Sequence, residues 1–202
     1  MEIAITNKLR LSDIPANFSK ILCEELTIDN PQYLENKKHQ RWNGKTPRKL
    51  YFYEKSNGNL ILPKGFIDQL ISLSDENEQS FFINNNTRNL PEVNFNFNGK
   101  LKKFQKPAAE DILNFDFGVL SAPTGSGKTV IGLYLIAQTQ QPALIIVHTV
   151  DLLNQWIQRI ESFLGIHKNN IGVIGAGQKK IGKEITVALV QSLYKCAEEV
   201  SP

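Results

Sequence analysis

Cysteine and histidine are scarce in this chain, and long apolar runs are missing. Its two cysteines, Cys23 and Cys196, stand far apart and form no Cys-x-x-Cys pattern, so the sequence writes neither a disulfide framework nor a cysteine-built metal motif. Both read as reduced thiols. The three histidines, His39, His148 and His167, share no metal-ligand spacing with each other or with the cysteines, which argues against a metal held by protein groups alone. No apolar run approaches the roughly 20 residues of a membrane-spanning helix, and Met1 to Arg10 lacks the apolar core of a secretory signal. These absences point to a cytoplasmic protein with no membrane partner.

What is present is ordinary for a soluble globular chain: 41% hydrophobic and 21% charged residues over 202 positions, enough for one large or two modest domains. A net charge of +3 is too small to decide for a polyanionic partner, but its placement is uneven. Lys37, Lys38, Arg41, Lys45, Arg48 and Lys49 fall within one stretch that has no acidic residue and holds Trp42 at its middle. A second cationic group, Lys100, Lys102, Lys103 and Lys106, precedes the most informative stretch of the chain.

That stretch is Ala122-Pro123-Thr124-Gly125-Ser126-Gly127-Lys128-Thr129, placed between a short apolar run and a strongly apolar segment. It reads as a phosphate-binding loop between a strand and a helix, and it makes ATP with magnesium the first ligand to consider. Small residues let successive backbone N–H groups converge on phosphate oxygens, Lys128 adds a mobile positive charge, and the Thr129 hydroxyl is a ligand for Mg²⁺. Thr124, Gly125, Ser126 and Gly127 supply the cradle. Ala122 stands where the general pattern has glycine, which keeps a small side chain but removes free use of positive φ.

Along the chain, Asn84 to Asn98 contains seven asparagines and Pro91 with no helical period, and reads as a connector. Before it, residues 1–83 read as a small α+β module. Ile3 and Ile5 alternate as a strand, and Ile14 to Leu26 places Ile14, Phe18, Ile21 and Leu22 on one helical face. Lys49 to Glu54 and Asn59 to Leu62 bracket the turn signal Asn57-Gly58 as a hairpin. A helix over Lys64 to Leu73 and a strand near Phe81 to Ile83 complete it. After the connector, residues 99–202 alternate helix and strand, giving an α/β class with a mostly parallel sheet and ligands expected at the strands' carboxyl ends. The expected elements are a helix over Phe104 to Leu113, a strand over Phe117 to Ser121 feeding the loop, a helix from Gly127 and a strand over Ala143 to Val147. A long helix follows, opened by Thr149 or Asp151 and ended by Gly165, then strands near Ile171 to Ile174 and Ile185 to Val190 and a terminal helix.

Four segments in order carry a resemblance. LKKFQKPAAEDIL, SAPTGSGKT, VHTVDLLNQW and ITVALVQSL resemble the entry helix, phosphate loop and two strand-end motifs of the first RecA-like domain of superfamily II helicases. The similarity is to the XPB-like branch, which includes restriction-type translocases and UvsW-type repair helicases. His148 and Leu189 depart from it, where proline and threonine are usual. The resemblance implies a partial RecA-like domain in which Gln105 reads adenine, while Thr149, Gln155 and Gln191 touch a nucleic-acid strand. Thr149 has a competing role as a helix N-cap, and Gln191 as the start of the last helix.

NPQYLENKKHQRWNGKTPRKLYFYEKSNGNLILPKGFIDQL is similar to the N-terminal module of UvsW-type and XPB-like proteins, which is implicated in DNA engagement. Here Arg41, Trp42, Lys45 and Arg48 are candidate contacts, cations for phosphates and an indole for stacking on an unpaired base. Pro31 and Pro47 bound their segment as a loop. The alternative is that Trp42 packs under the hairpin while the lysines only solvate the surface. The resemblance favours DNA over RNA and implies a second RecA-like domain in the full-length protein. No Asp-Glu-x-His or Asp-Glu-Ala-Asp motif follows Val190, so the 202 residues alone are expected to bind nucleotide without appreciable hydrolysis. Two other readings stay open: a non-hydrolysing nucleic-acid-binding fragment, and a phosphate-loop ATPase acting on a protein.

Overall fold

Alternating apolar residues build the first of two units, residues 1–89, in this computed structural model, which describes residues 1–87 and 90–197. In chain order the unit runs β1 (Glu2–Ile5), β2 (Lys8–Ser12), α1 (Ala16–Glu25), β3 (Thr27–Asp29), α2 (Pro31–Lys38), β4 (Lys49–Tyr51) and β5 (Glu54–Ser56). It continues through β6 (Asn59–Pro63), a 3-10 turn (Lys64–Phe66), α3 (Ile67–Glu76) and β7 (Phe82–Asn85). The main sheet has the order β5-β6-β2-β1-β7, antiparallel except where β7 runs parallel to β1. Ile3 pairs with Leu11, Ile5 with Leu9, and Leu60 and Leu62 follow on β6, so period-two alternation sends all six to one core. Phe18 and Leu22 of α1 and Leu70 of α3 join that core. Burying each leucine contributes about 2 kcal/mol.

The second unit, residues 90–202, is assembled differently. Its elements are α4 (Gln105–Leu113), α5 (Lys128–Thr139), β8 (Ala143–Val147), α6 (Val150–Leu164), a 3-10 turn (Lys168–Asn170), β9 (Gly172–Gly175), β10 (Gln178–Lys180), β11 (Ile185–Leu189) and α7 (Val190–Tyr194). The sheet order is β10-β9-β11-β8, with β9, β11 and β8 mutually parallel and β10 antiparallel at one edge. This is the mixed α/β class with a mostly parallel sheet that the sequence indicates. Leu153, Ile160 and Leu164 share one stripe of α6 and meet Leu133 and Ala137 of α5 over Ile145, Val173 and Val187. Close approach of α5 and α6 depends on Gly132, where a Cβ would lie 3.1 Å from the Trp156 ring. Gly165, with φ +69, ends α6 in the left-handed region.

Topology fixes where ligand chemistry can happen. At 1.5 Å per residue the 12 residues of α5 span about 18 Å, close to the length of five-residue β8. Only Gln140 to Pro142 join them. β8 and β11 run parallel and in register, so the residues after both emerge at one end of the sheet.

Several expected elements are corrected. Phe117 to Ser121 forms no strand, and Val119 is 94% exposed. A short run with three apolar side chains, Phe117, Val119 and Leu120, needs a neighbouring ladder, and the described partner of β8 is β11. Lys49 to Glu54 is split: the turn sets Ser56 opposite Asn59, β5 starts at Glu54, and Lys49 to Tyr51 pair instead with Thr27 to Asp29. Pro31 to Pro47 is not all loop, because Asn30 caps a helix with Pro31 at its first position. The stretch 84–98 is not wholly a connector. β7 extends to Asn85, and Phe95, 5% exposed, belongs to the second unit's core. There Gln140 fastens it: Oε1 accepts from Phe95 N at 3.0 Å, Nε2 donates to Phe95 O at 2.9 Å, and the Gln140 carbonyl accepts from Val93 N at 3.0 Å. β2, β3 and β10 are additional strands, and Gly175-Ala176-Gly177 is the turn between β9 and β10, with positive φ at all three. Among the described residues no helix is long and apolar enough to cross a membrane. The terminal-helix reading is met by α7 as far as Tyr194, and residues 198–202 lie outside the described residues.

Candidate functional site

The phosphate loop owes its shape to two glycines at φ +83, Gly125 and Gly127. Both occupy backbone conformations that cost an L side chain about 1–2 kcal/mol, and Gly127 is excluded from change a second way. A Cβ there would sit 2.4 Å from Nε2 of Gln105. Ser126 N donates to Pro123 O at 3.3 Å, closing the turn, and α5 begins at Lys128. The first N–H groups of a helix have no intrahelical acceptor, and the helix dipole places partial positive charge there. Lys128 Nζ donates to Ala122 O at 2.7 Å and Pro123 O at 3.0 Å, so the ammonium lies over the loop it would share with a phosphate. Thr129 is half-buried in the first helical turn. Ser126 Oγ is buried with no hydrogen-bond partner, an orphaned hydroxyl inside an anion cradle.

Gln105 is 3% exposed at the start of α4, and both ends of its amide are engaged. Oε1 accepts from Lys102 N at 2.8 Å, and Nε2 donates to Ser126 O at 2.8 Å. The side chain thus ties the entry helix to the phosphate loop. Its spare capacity is one N–H and one lone pair. The cradle fits a nucleoside triphosphate with its metal: backbone donors, an ammonium and two hydroxyls, of which that of Ser126 is unpartnered, lie at one helix start.

The strand-end residues lie together. β8 and β11 are adjacent and parallel, with Val147 opposite Leu189, so His148-Thr149 and Val190-Gln191 emerge side by side. Gln191 Nε2 donates to His148 O at 3.4 Å and joins them. Thr149 Oγ1 accepts from Leu152 N at 3.3 Å as the N-cap of α6, leaving its hydroxyl hydrogen uncommitted. Gln155 is exposed on the face of α6 opposite Leu153 and Ile160, away from the core. Trp156 packs into the core instead.

In the first unit, Arg41, Trp42, Lys45 and Arg48 are all exposed on the excursion between α2 and β4. Trp42 is 91% exposed, so it does not pack under the hairpin; its ring rests beside Gly44, where a Cβ would lie 3.1 Å away. The neck of the excursion is held by one buried residue that the sequence reading passed over. Asn30 Oδ1 caps α2 by accepting from Gln32 N at 3.0 Å, Nδ2 donates to Pro47 O at 2.9 Å, and its backbone N donates to Arg48 O at 2.8 Å. The signal was available, since an asparagine before proline is a helix-start pattern.

Comparison with known proteins bears on the second half. The family described as "Type III restriction enzyme, res subunit" matches residues 98–201, just over half of the chain. The chain is 36% identical over 101 residues to the DNA 3'-5' translocase XPB2 of Sulfurisphaera tokodaii, covering 50% of this chain and 22% of that protein. It is 27% identical over 96 residues to the DNA 3'-5' helicase XPB of Mycobacterium tuberculosis, covering 48% and 17%. The chain thus spans less than a quarter of the length of these relatives. The fold is similar to the crystal structure of the UvsW helicase from bacteriophage T4, with a TM-score of 0.65 and 19% identity over 96% of this chain and 77% of that one. Through residues 98–201 the chain belongs to the superfamily II helicase family described as "Type III restriction enzyme, res subunit".

Proposed function

We propose that this chain supplies the ATP-binding and DNA-binding parts of an ATP-dependent helicase or translocase acting in DNA repair, recombination or restriction in the cytoplasm. The observations that carry the reading are the phosphate loop braced by Gln105 and the side-by-side emergence of Thr149 and Gln191 after parallel β8 and β11. Residues 99–202 are the first RecA-like domain, residues 1–83 a nucleic-acid-binding module, and a second RecA-like domain completes the motor.

Bound Mg²⁺-ATP supplies the phosphoanhydride whose cleavage drives such a motor. The residues of this chain bind and orient it. Gly125, Ser126 and Gly127 offer backbone N–H groups, Thr124 flanks the cradle, and Lys128 exchanges two carbonyl acceptors for phosphate oxygens. Thr129 Oγ1 holds the metal. Gln105 keeps the loop in register and reads adenine with its remaining N–H and lone pair. Thr149, Gln155 and Gln191 contact the tracked strand, while Arg41, Lys45 and Arg48 meet phosphates and Trp42 stacks on an unpaired base.

The 202-residue polypeptide binds nucleotide without steady turnover, because no Asp-Glu-x-His or Asp-Glu-Ala-Asp motif follows Val190 to position water. DNA binding is tested by titrating single-stranded, forked and duplex DNA over a range of salt. Affinity should fall steeply as salt rises, with a slope set by the phosphates neutralised, and Trp42 fluorescence should be quenched by single strands. No binding of any of the three at low salt would sink the nucleic-acid reading, and turnover abolished by Lys128→Ala would sink the non-hydrolysing one.

A further inference from the structure

Away from the Trp42 excursion, the first unit carries a second cationic and aromatic surface. α1, β3, β4 and the start of β5 enclose a cavity of about 490 Å³, within the size range of ligand sites. Lys20, Lys49 and Lys55 line it against one carboxylate, Glu24, which lies 3.8 Å from Lys20 Nζ; three cations less one anion leave the lining at +2. Asp29 stands opposite Lys49 in the β3–β4 ladder as a second carboxylate nearby.

Two aromatic rings complete the wall. Tyr51 and Tyr53 meet edge to face with centroids 5.9 Å apart, and Tyr51 remains 62% exposed. Lys55 Nζ lies 5.9 Å from the centre of the Tyr53 ring. A neighbouring cavity of about 300 Å³ shares Ser19 and Lys55 and runs on to the Asn57-Gly58 turn. The surface is therefore a groove that continues along α1 and does not close around one small molecule.

We infer that this groove binds a single-stranded nucleic-acid segment, with a base stacked on Tyr51 and the backbone phosphates beside Lys20, Lys49 and Lys55. The inference rests on the nucleic-acid reading proposed above and adds a second contact surface to it. Ammonium groups along a groove suit a phosphate backbone, and an exposed ring between them suits the face of an unpaired base. A duplex would keep that face covered by its neighbours in the stack. The groove uses none of Arg41, Trp42, Lys45 or Arg48.

The test uses the 202-residue chain and a labelled oligothymidylate followed by fluorescence anisotropy across salt. Tyr51→Ala should weaken binding about tenfold and Tyr51→Phe should restore it, because stacking needs the ring and not the hydroxyl. Lys20→Ala with Lys55→Ala should reduce the magnitude of the salt slope by about 1.4, at roughly 0.7 for each phosphate contact on a single strand. Nucleotide binding and thermal melting should be unchanged in all three. If these variants bind as the unaltered chain does while Trp42→Ala weakens binding, the groove is not a contact surface and the nucleic-acid reading stands. If thymidine monophosphate or an acidic peptide displaces the oligonucleotide as well as unlabelled oligothymidylate does, the strand assignment is overturned. Failure of the unaltered chain to bind any DNA at low salt removes both readings together.

Discussion

Gln105 and Gly127 form a matched pair at the base of the phosphate loop, and their substitutions should not be independent. Gly125→Ala and Gly127→Ala face the same positive φ, but a Cβ at 125 meets open space and one at 127 meets the Gln105 amide. Gly125→Ala should therefore cost about 1 kcal/mol of unfolding free energy, and Gly127→Ala at least about 1 kcal/mol more. Chemical denaturation measures both. Gln105→Ala leaves Lys102 N and Ser126 O without their partner and should cost about 1–3 kcal/mol, with nucleotide affinity falling about tenfold. In a double-mutant cycle, Gln105→Ala should recover part of the Gly127→Ala loss, and strict additivity would show that the two do not touch. At this scale the sequence was informative about which residues form the loop, because glycine, lysine and threonine spacing states the chemistry. It was silent on Gln105 facing inward, because a hydrogen bond spanning 21 residues has no local signature.

Elements show a different division. Long periodic helices were legible: the stripe of α6 and its Thr149 and Gly165 ends follow from spacing and capping alone. Short strands were not, since β2, β3 and β10 have three to five residues and their identity depends on a partner elsewhere in the chain. The excursion from α2 to β4 shows how one residue can decide an element's form. Asn30→Ala removes the cap of α2 and the tie to Pro47, and should cost about 1–2 kcal/mol. Amides of α2 should then exchange faster, and protease should cut between 39 and 47 more readily while the five-stranded sheet keeps its protection. Equal protection in the variant would mean that Asn30 does not hold the neck. Gln140→Ala should likewise release Phe95 from the end of α5 while leaving the Val93 bond to the Gln140 carbonyl, lowering stability by a similar amount.

For the whole molecule, two cores formed from separate stretches of chain imply separable folding. Residues 1–89 contain every strand of the five-stranded sheet and both helices that cover it. As an isolated fragment they should unfold cooperatively in urea, with a slope near 1 kcal/mol/M. A gradual, uncooperative loss of structure would contradict that. The change from a period-two pattern to alternating helix and strand made the two-part organisation readable from sequence. The place of Phe117 to Ser121 was not readable, because so short an apolar run specifies a strand only when a neighbour offers a ladder, and β8 is an edge of the described sheet with Leu144 and Ile146 half-exposed.

Calorimetric titration of the 202-residue chain with Mg²⁺-ATP, beside Lys128→Ala, asks whether the loop from Gly125 to Thr129 holds nucleotide phosphates. Saturable one-site binding is expected for the unaltered chain, weakened at least about tenfold in Lys128→Ala, with both proteins melting alike, since the Lys128 side chain is exposed and bonded only to loop carbonyls. Equal affinity in the two proteins, or no heat of binding to a folded unaltered chain, would contradict it.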